Sequence, residues 1–258
     1  MITFTDAQLS AWYGAIFWPL IRVLAVISVA PVLSHRAVGA RNKLLLGLLI
    51  AAILAPQLNA PPLTDLLSAR GLQLLVHNLL VGLAIGFAVR LVFASLEIAG
   101  ELIGLQMGLS FAGFFSPATG QAQNAVASLL SVIALLMFIT IDGHLMVLHA
   151  LTESFRLFPM QSADALPISL NLVTELATDM FAIALRLALP FLAVMLLINI
   201  ILGVLARIAP QLNIFAVGFP LTIMVGLSVL FMLLPYIQNP LIQAIERAAT
   251  AFTQPAEL

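Results

Sequence analysis

Of the chain's 258 residues, 62% are hydrophobic and only 8% are charged, against about 25% charged in soluble domains, and the mean hydropathy is +1.15. A formal net charge of −1 without a Lys/Arg cluster excludes an electrostatic nucleic-acid partner, and the absence of cysteine excludes disulfides, thiolate catalysis and cysteine-ligated zinc. What remains is an all-α, polytopic, membrane-type protein: a hydrocarbon core about 30 Å thick takes roughly 20 apolar residues per helix, which leaves room for about six crossings and little else.

The N-terminus, MITFTDAQLS, is acidic rather than basic, so a cleaved signal peptide is not expected and a retained helix should begin near Trp12. Apolar runs bounded by turn residues predict six helices, at 12–33, 44–58, 73–96, 126–148, 176–205 and 214–234. Breakers separate them: Ser34-His35-Arg36 onward to Lys43, Asn59-Ala60-Pro61-Pro62, Ser116-Pro117 onward to Asn124, the stretch 158–171, and Ala209-Pro210-Gln211. The second run is short for a crossing and ends at Pro56. Pro19, Pro190 and Pro220 fall within or at the ends of other runs, where a missing backbone donor predicts kinks. The basic loop from His35 to Lys43 puts the N-terminus outside by the positive-inside rule, yet alternation then leaves Arg70, Arg156 and Arg247 outside as well. The topology therefore stays open between charge-poor independent spans and helices that do not cross one by one.

In GELIGLQMGLSFAGFFSP, beginning at Gly100, every fourth residue is small. Gly100, Gly104, Gly108 and Ala112 stack along one helical face, extended upstream by Gly82 and Gly86, and such a ridge predicts close approach of another backbone. Past it, FAGFFSPATGQAQN loses helical periodicity and carries no charge at all. A water-exposed loop usually carries charge or is mostly polar, so this one should be enclosed by protein. Its phenylalanines are open to two readings, ordinary core packing or a hydrophobic constriction on a path through an assembly.

Ionisable residues within apolar runs are costly and often functional; here they are Arg22, Arg90, Glu97, Glu101, Asp142 and Arg186. Arg90, Glu97 and Glu101 share a helical face, where the two carboxylates need a cation from elsewhere. That pattern fits an interhelical or intersubunit charge network, or else a proton relay. Asp142, His149 and Glu153 also fall on one face and resemble a metal-binding set, or polar residues meeting an interface. No phosphate loop, nucleophile elbow or zinc-protease motif is present in the sequence. No enzyme activity, metal or cofactor is expected.

Two stretches carry a family resemblance: QMGLSFAGFFSPATGQ followed by LLMFITIDGHLMVLHALTESFRLFP, and ILGVLARIAPQLNIFAVGFPLTIMVGL. They resemble the FliR family of flagellar biosynthesis proteins, related to the export-gate subunit of virulence type III secretion systems. The similarity runs through essentially the whole chain, most specifically at Ala209-Pro210-Gln211-Leu212-Asn213 with Phe215 and Pro220. Gly218-Phe219-Pro220-Leu221 resembles the flagellar branch rather than the virulence one. Asp142-Gly143-His144 departs from the Asn-Gly-His frequent in flagellar relatives.

The resemblance implies one FliR copy in a multi-subunit ring with FliP and FliQ that forms the export gate for unfolded flagellar proteins in the bacterial inner membrane. Further partners would be FlhB, FlhA and membrane lipid, at the flagellar basal body, with much of the ring raised toward the periplasm. It implies a FliP-like portion over 1–175 and a FliQ-like helical hairpin over 176–258. Matching positions make Phe111 and Phe114, with Phe115 and Met107, a hydrophobic plug, and Gly108, Gly113, Pro117 and Gly120 its hinge. On this reading the glycines pack the helix into the ring, and Arg90, Glu97, Glu101, Arg186 and Arg207 hold subunits together. A proton-coupled transporter acting alone and a virulence export-gate subunit are the alternatives.

Overall fold

The structure is a computed structural model and describes residues 5–34, 38–58, 60–61, 68–109, 124–161, 170–211 and 214–252. Among these residues the fold is all α, with no strand. Helix α1 spans Asp6–Val29. It opens on a capping box in which the Thr5 hydroxyl accepts from Gln8 N at 3.4 Å and the Gln8 side chain accepts from Thr5 N at 3.2 Å, satisfying two donors that a helix start leaves open. The expected helix over 12–33 is broken here: Ala30 turns extended before Pro31, and the short α2 (Pro31–Ser34) follows. The ring of a proline disfavours helical geometry at the residue before it.

Helix α3 covers Ala40–Leu54 and tightens into a single 3-10 turn at Ala55–Gln57 around Pro56. Arg41 and Lys43 therefore belong to a helix, and Lys43 Nζ donates to the Ser34 carbonyl at 2.8 Å. Helix α4, Ala69–Gln106, has 38 residues and runs ten beyond the apolar run 73–96, passing through Glu97 and Glu101. The expected helix over 126–148 is two helices, α5 (Ala125–Thr140) and α6 (Gly143–Leu157). The break falls at Asp142, whose φ of 56° lies in the left-handed region, a conformation Asp and Asn tolerate better than most residues do. Helix α7, Leu170–Ile208, contains Pro190, and α8, Ile214–Thr250, contains Pro220, Pro235 and Pro240. Both continue through these prolines.

Five helices are long and apolar enough to cross a membrane, and α5 with α6 makes a sixth if the broken pair counts as one span. The chain is thus an all-α polytopic protein of the membrane type. It divides into two compact units. The first draws on Met1–Leu91, Asp142–Leu176 and Ile245–Leu258, with Trp18, Val23, Val26, Ile85, Leu151 and Phe155 in its core. The second draws on Val92–Ile141 and Ala177–Ala244, with Leu96, Met107, Leu130, Phe191, Met195 and Leu241 buried. On α7 and α8 large apolar side chains also face outward, among them Leu196, Ile200, Phe231 and Met232, as expected for helices whose surroundings are lipid or other protein rather than water.

Candidate functional site

In the second unit α4 ends in a compact stop. Gly108 takes a φ of 77°, its N–H donates to the Leu105 carbonyl at 3.1 Å and Leu109 N donates to Gly104 O at 3.0 Å. These are the paired bonds of a Schellman ending, which needs a left-handed residue and so favours glycine. Just before the stop, Met107 is fully buried against Gly226 of α8. A Cβ on that glycine would stand 2.7 Å from Met107 Cγ and 3.0 Å from its Sδ, so the methionine occupies a notch that a side chain would fill.

Asn124 sits across from this ending and binds α4 and α5 together. Its Oδ1 accepts from Val126 N at 3.0 Å and caps α5. Its Nδ2 reaches the Gly100 carbonyl at 3.4 Å, and its backbone N–H donates to Glu101 Oε1 at 3.3 Å. Gly104 has no side chain because the Asn124 amide occupies that space, and Gly100 faces the backbone of Ala127, whose N would be 2.8 Å from an added Cβ. Residues 109 and 124 thus emerge from one tightly joined base. Phe111, Ala112, Gly113, Phe114, Phe115, Pro117 and Gly120, between them, lie outside the described residues.

The upstream glycines do the same work in the first unit. Gly82 faces the Arg22 carbonyl and Ala25 Cβ, and Gly86 faces Val29 Cβ at 2.9 Å and the Val26 carbonyl at 3.0 Å, both distances measured from an added Cβ. All four glycines at these two places pack on helices of this chain.

Of the charged residues singled out in the sequence, Arg90, Arg186 and Arg207 are exposed, while Glu97 and Glu101 are partly buried. Arg90, Glu97, Arg186 and Arg207 form no ion pair with another described residue, and Glu101 is used by Asn124. The set of Asp142, His149 and Glu153 does not converge. Asp142 precedes the first residue of α6 with its left-handed backbone, Glu153 pairs with Arg156 at 2.8 Å, and among the described residues no three such side chains form a group able to hold a metal.

Arg22 is buried completely and forms no ion pair with another described residue. Its Nε and Nη2 donate to Asn78 Oδ1 at 3.2 and 2.8 Å, Nη1 donates to the Ser154 carbonyl at 2.8 Å and to its Oγ at 3.2 Å, and Nη2 also reaches the Phe158 carbonyl at 2.9 Å. The Phe155 ring lies 4.3 Å away under the guanidinium. Those five bonds match the five N–H donors of arginine. The cation sits at the last turn of α6, whose free carbonyls and dipole favour positive charge, so burial is offset without a counter-ion. The sequence signals Arg22 but not its partners. Asn78 and Ser154 are polar residues in apolar stretches, and only the fold reveals their convergence. The cap at Asn124 was available from its position just before an apolar run, whereas nothing in the sequence marks Gly226 as a notch.

Comparison with known proteins gives a consistent result. The model for bacterial export proteins, family 1, matches residues 13–248. The flagellar biosynthetic protein FliR of Pectobacterium carotovorum subsp. carotovorum is 43% identical over 239 residues, covering 92% of this chain and 90% of that protein. The protein of the same name from Escherichia coli (strain K12) is 41% identical over 237 residues, with 92% and 90% covered. That from Buchnera aphidicola subsp. Acyrthosiphon pisum (strain APS) is 34% identical over 238 residues, with 91% of each chain covered.

Proposed function

Because the chain belongs to family 1 of the bacterial export proteins, the family of FliR, we propose that this flagellar export component is a non-enzymatic subunit of the gate through which unfolded flagellar proteins leave the cell. It joins FliP and FliQ in a ring of the inner membrane at the flagellar basal body, raised in large part toward the periplasm, with FlhB and FlhA as neighbours. Its 1–175 portion corresponds to FliP and its 176–258 portion to a FliQ hairpin. The observation that carries the reading is similarity over nearly the full length to proteins named for flagellar biosynthesis.

The local chemistry supports a role in closing the channel. The segment 110–123 contains Phe111, Phe114 and Phe115 and no charged residue, so it can exclude water and ions from a narrow passage. Met107, wedged against Gly226 of α8, supports that seal from behind at the end of α4, and Gly108, Gly113, Pro117 and Gly120 serve as its hinge. The joined base at Gly100, Gly104 and Asn124 gives such a plug a fixed root. Arg90, Glu97, Arg186 and Arg207, which have no ion-pair partner among the described residues, are available for groups outside the chain; Glu101 can serve both Asn124 and a neighbour.

Affinity purification of this chain from its host after mild solubilisation tests the proposal. FliP and FliQ should copurify in a stable complex. Recovery of the folded chain alone, together with solute movement by that chain in vesicles, would favour a stand-alone transporter.

A further inference from the structure

In the second unit α7 and α8, backed by Ile103 of α4 and Leu130 of α5, line a cleft of about 120 Å³. Its floor is apolar, with Leu187, Pro190, Ile237 and Pro240, and Arg186 and Tyr236 also line it. Arg186 is exposed, Tyr236 is 73% exposed, and neither bonds another described residue. Around them the surface is aliphatic: Leu185 and Leu189, on either side of the arginine, are 48% and 56% exposed. A guanidinium in such surroundings needs an anion.

Chain length indicates the depth at which that anion is met. Between Arg186 and Arg207 lie the twenty uncharged residues 187–206 of α7, which at 1.5 Å per residue span about 30 Å, the thickness of a hydrocarbon core. On α8 no residue from 214 to 245 is charged, and Tyr236, Gln238 and Asn239 form a polar stretch within that run. Arg186 and Tyr236 line the same cleft, and tyrosine is enriched where hydrocarbon meets the headgroups. Within the interval, Asn199 Nδ2 donates to Gln106 Oε1 at 3.3 Å, the mutual pairing that amides at hydrocarbon depth require.

We propose that this cleft binds an anionic phospholipid, with its phosphate on Arg186 and Tyr236 and part of an acyl chain in the apolar floor. A carboxylate from a neighbouring protein would satisfy the arginine and leave the cleft empty, whereas a phosphate carrying a hydrocarbon tail fills both parts. The inference goes beyond the gate reading and does not need it. It makes the α7–α8 hairpin one part of the chain that meets lipid.

The test reconstitutes the purified full chain in nanodiscs of phosphatidylethanolamine and phosphatidylglycerol, releases it into detergent, and counts retained lipids by native mass spectrometry. Wild type should retain phosphatidylglycerol preferentially. R186Q should retain about fivefold less, the ratio expected for one arginine at an anionic surface, and R186K should keep the preference. Equal retention in wild type and R186Q overturns the site, as does carbodiimide cross-linking of R186K to an acidic side chain of a copurifying protein. If R186Q does not fold, depth decides. Because the chain has no cysteine, Leu185→Cys and Leu196→Cys can each be labelled alone with Arg186 intact. The label at 185 should be quenched at headgroup level and that at 196 by chain-end bromolipids; equal depths, or water access at both, refute the proposal.

Discussion

Arg22 of α1 and Asn78 of α4 are joined by two hydrogen bonds to a single oxygen, Nη2 at 2.8 Å and Nε at 3.2 Å from Oδ1. Asn78 is held in turn by its Nδ2, which donates to the Leu74 carbonyl at 2.8 Å. Replacing Asn78 by Leu leaves part of a buried cation unpaired, a loss of about 3–5 kcal/mol. Arg22→Met instead strands the acceptors at Asn78, Ser154 and Phe158, at about 1–3 kcal/mol for each one left dry. Both variants should melt well below wild type in detergent. An unchanged melting temperature for N78L would show that the pair does not hold the first unit together.

Glycine substitutions should separate by location. Gly100→Ala forces a Cβ into the backbone of Ala127, and overpacking of this kind costs about 1–3 kcal/mol or more. Gly203→Ala meets nothing within 4 Å and should be neutral or stabilising by up to about 1 kcal/mol, the helix preference of Ala over Gly. Thermal unfolding of the two variants side by side checks the contrast, and equal effects would contradict it.

Asp142 tolerates its left-handed backbone only moderately. Asp142→Asn and Asp142→Gly should fold as well as wild type or slightly better, because both residues enter this region readily. Asp142→Val should lose about 1–2 kcal/mol. The same melting experiment distinguishes this conformational role from one that needs the carboxylate, in which Asn and Gly would fail together with Val.

Apolar runs revealed that helices exist but misjudged where they stop. Hydropathy ends a run at the first charge, yet α4 continues through Glu97 and Glu101 because Asn124 and the surrounding packing accommodate a carboxylate there. Conversely, the run over 126–148 is apolar throughout its middle but breaks at Asp142, since backbone handedness leaves no mark on hydropathy. The glycine spacing was legible, but the groups beside those glycines, Arg22, Ala25 and Val29 for one pair and Asn124 and Ala127 for the other, depend on tertiary placement. The Arg22 clamp was least legible: its contacts lie 56, 132 and 136 residues away. Arg186 was visible as a lone charge, but the cleft beside it is lined by residues of α4, α5, α7 and α8 that lie far apart in sequence.

The gate account is tested most directly by ion conductance. The complex of this chain with FliP and FliQ would be placed in a planar bilayer, and wild type compared with a Phe111→Ala, Phe114→Ala double variant of matched assembly. A hydrophobic constriction conducts once it is widened enough to wet, so the variant should pass a sustained ionic current where the wild-type complex stays closed. Equal, negligible currents from both fully assembled complexes would contradict the assignment of these phenylalanines to the seal.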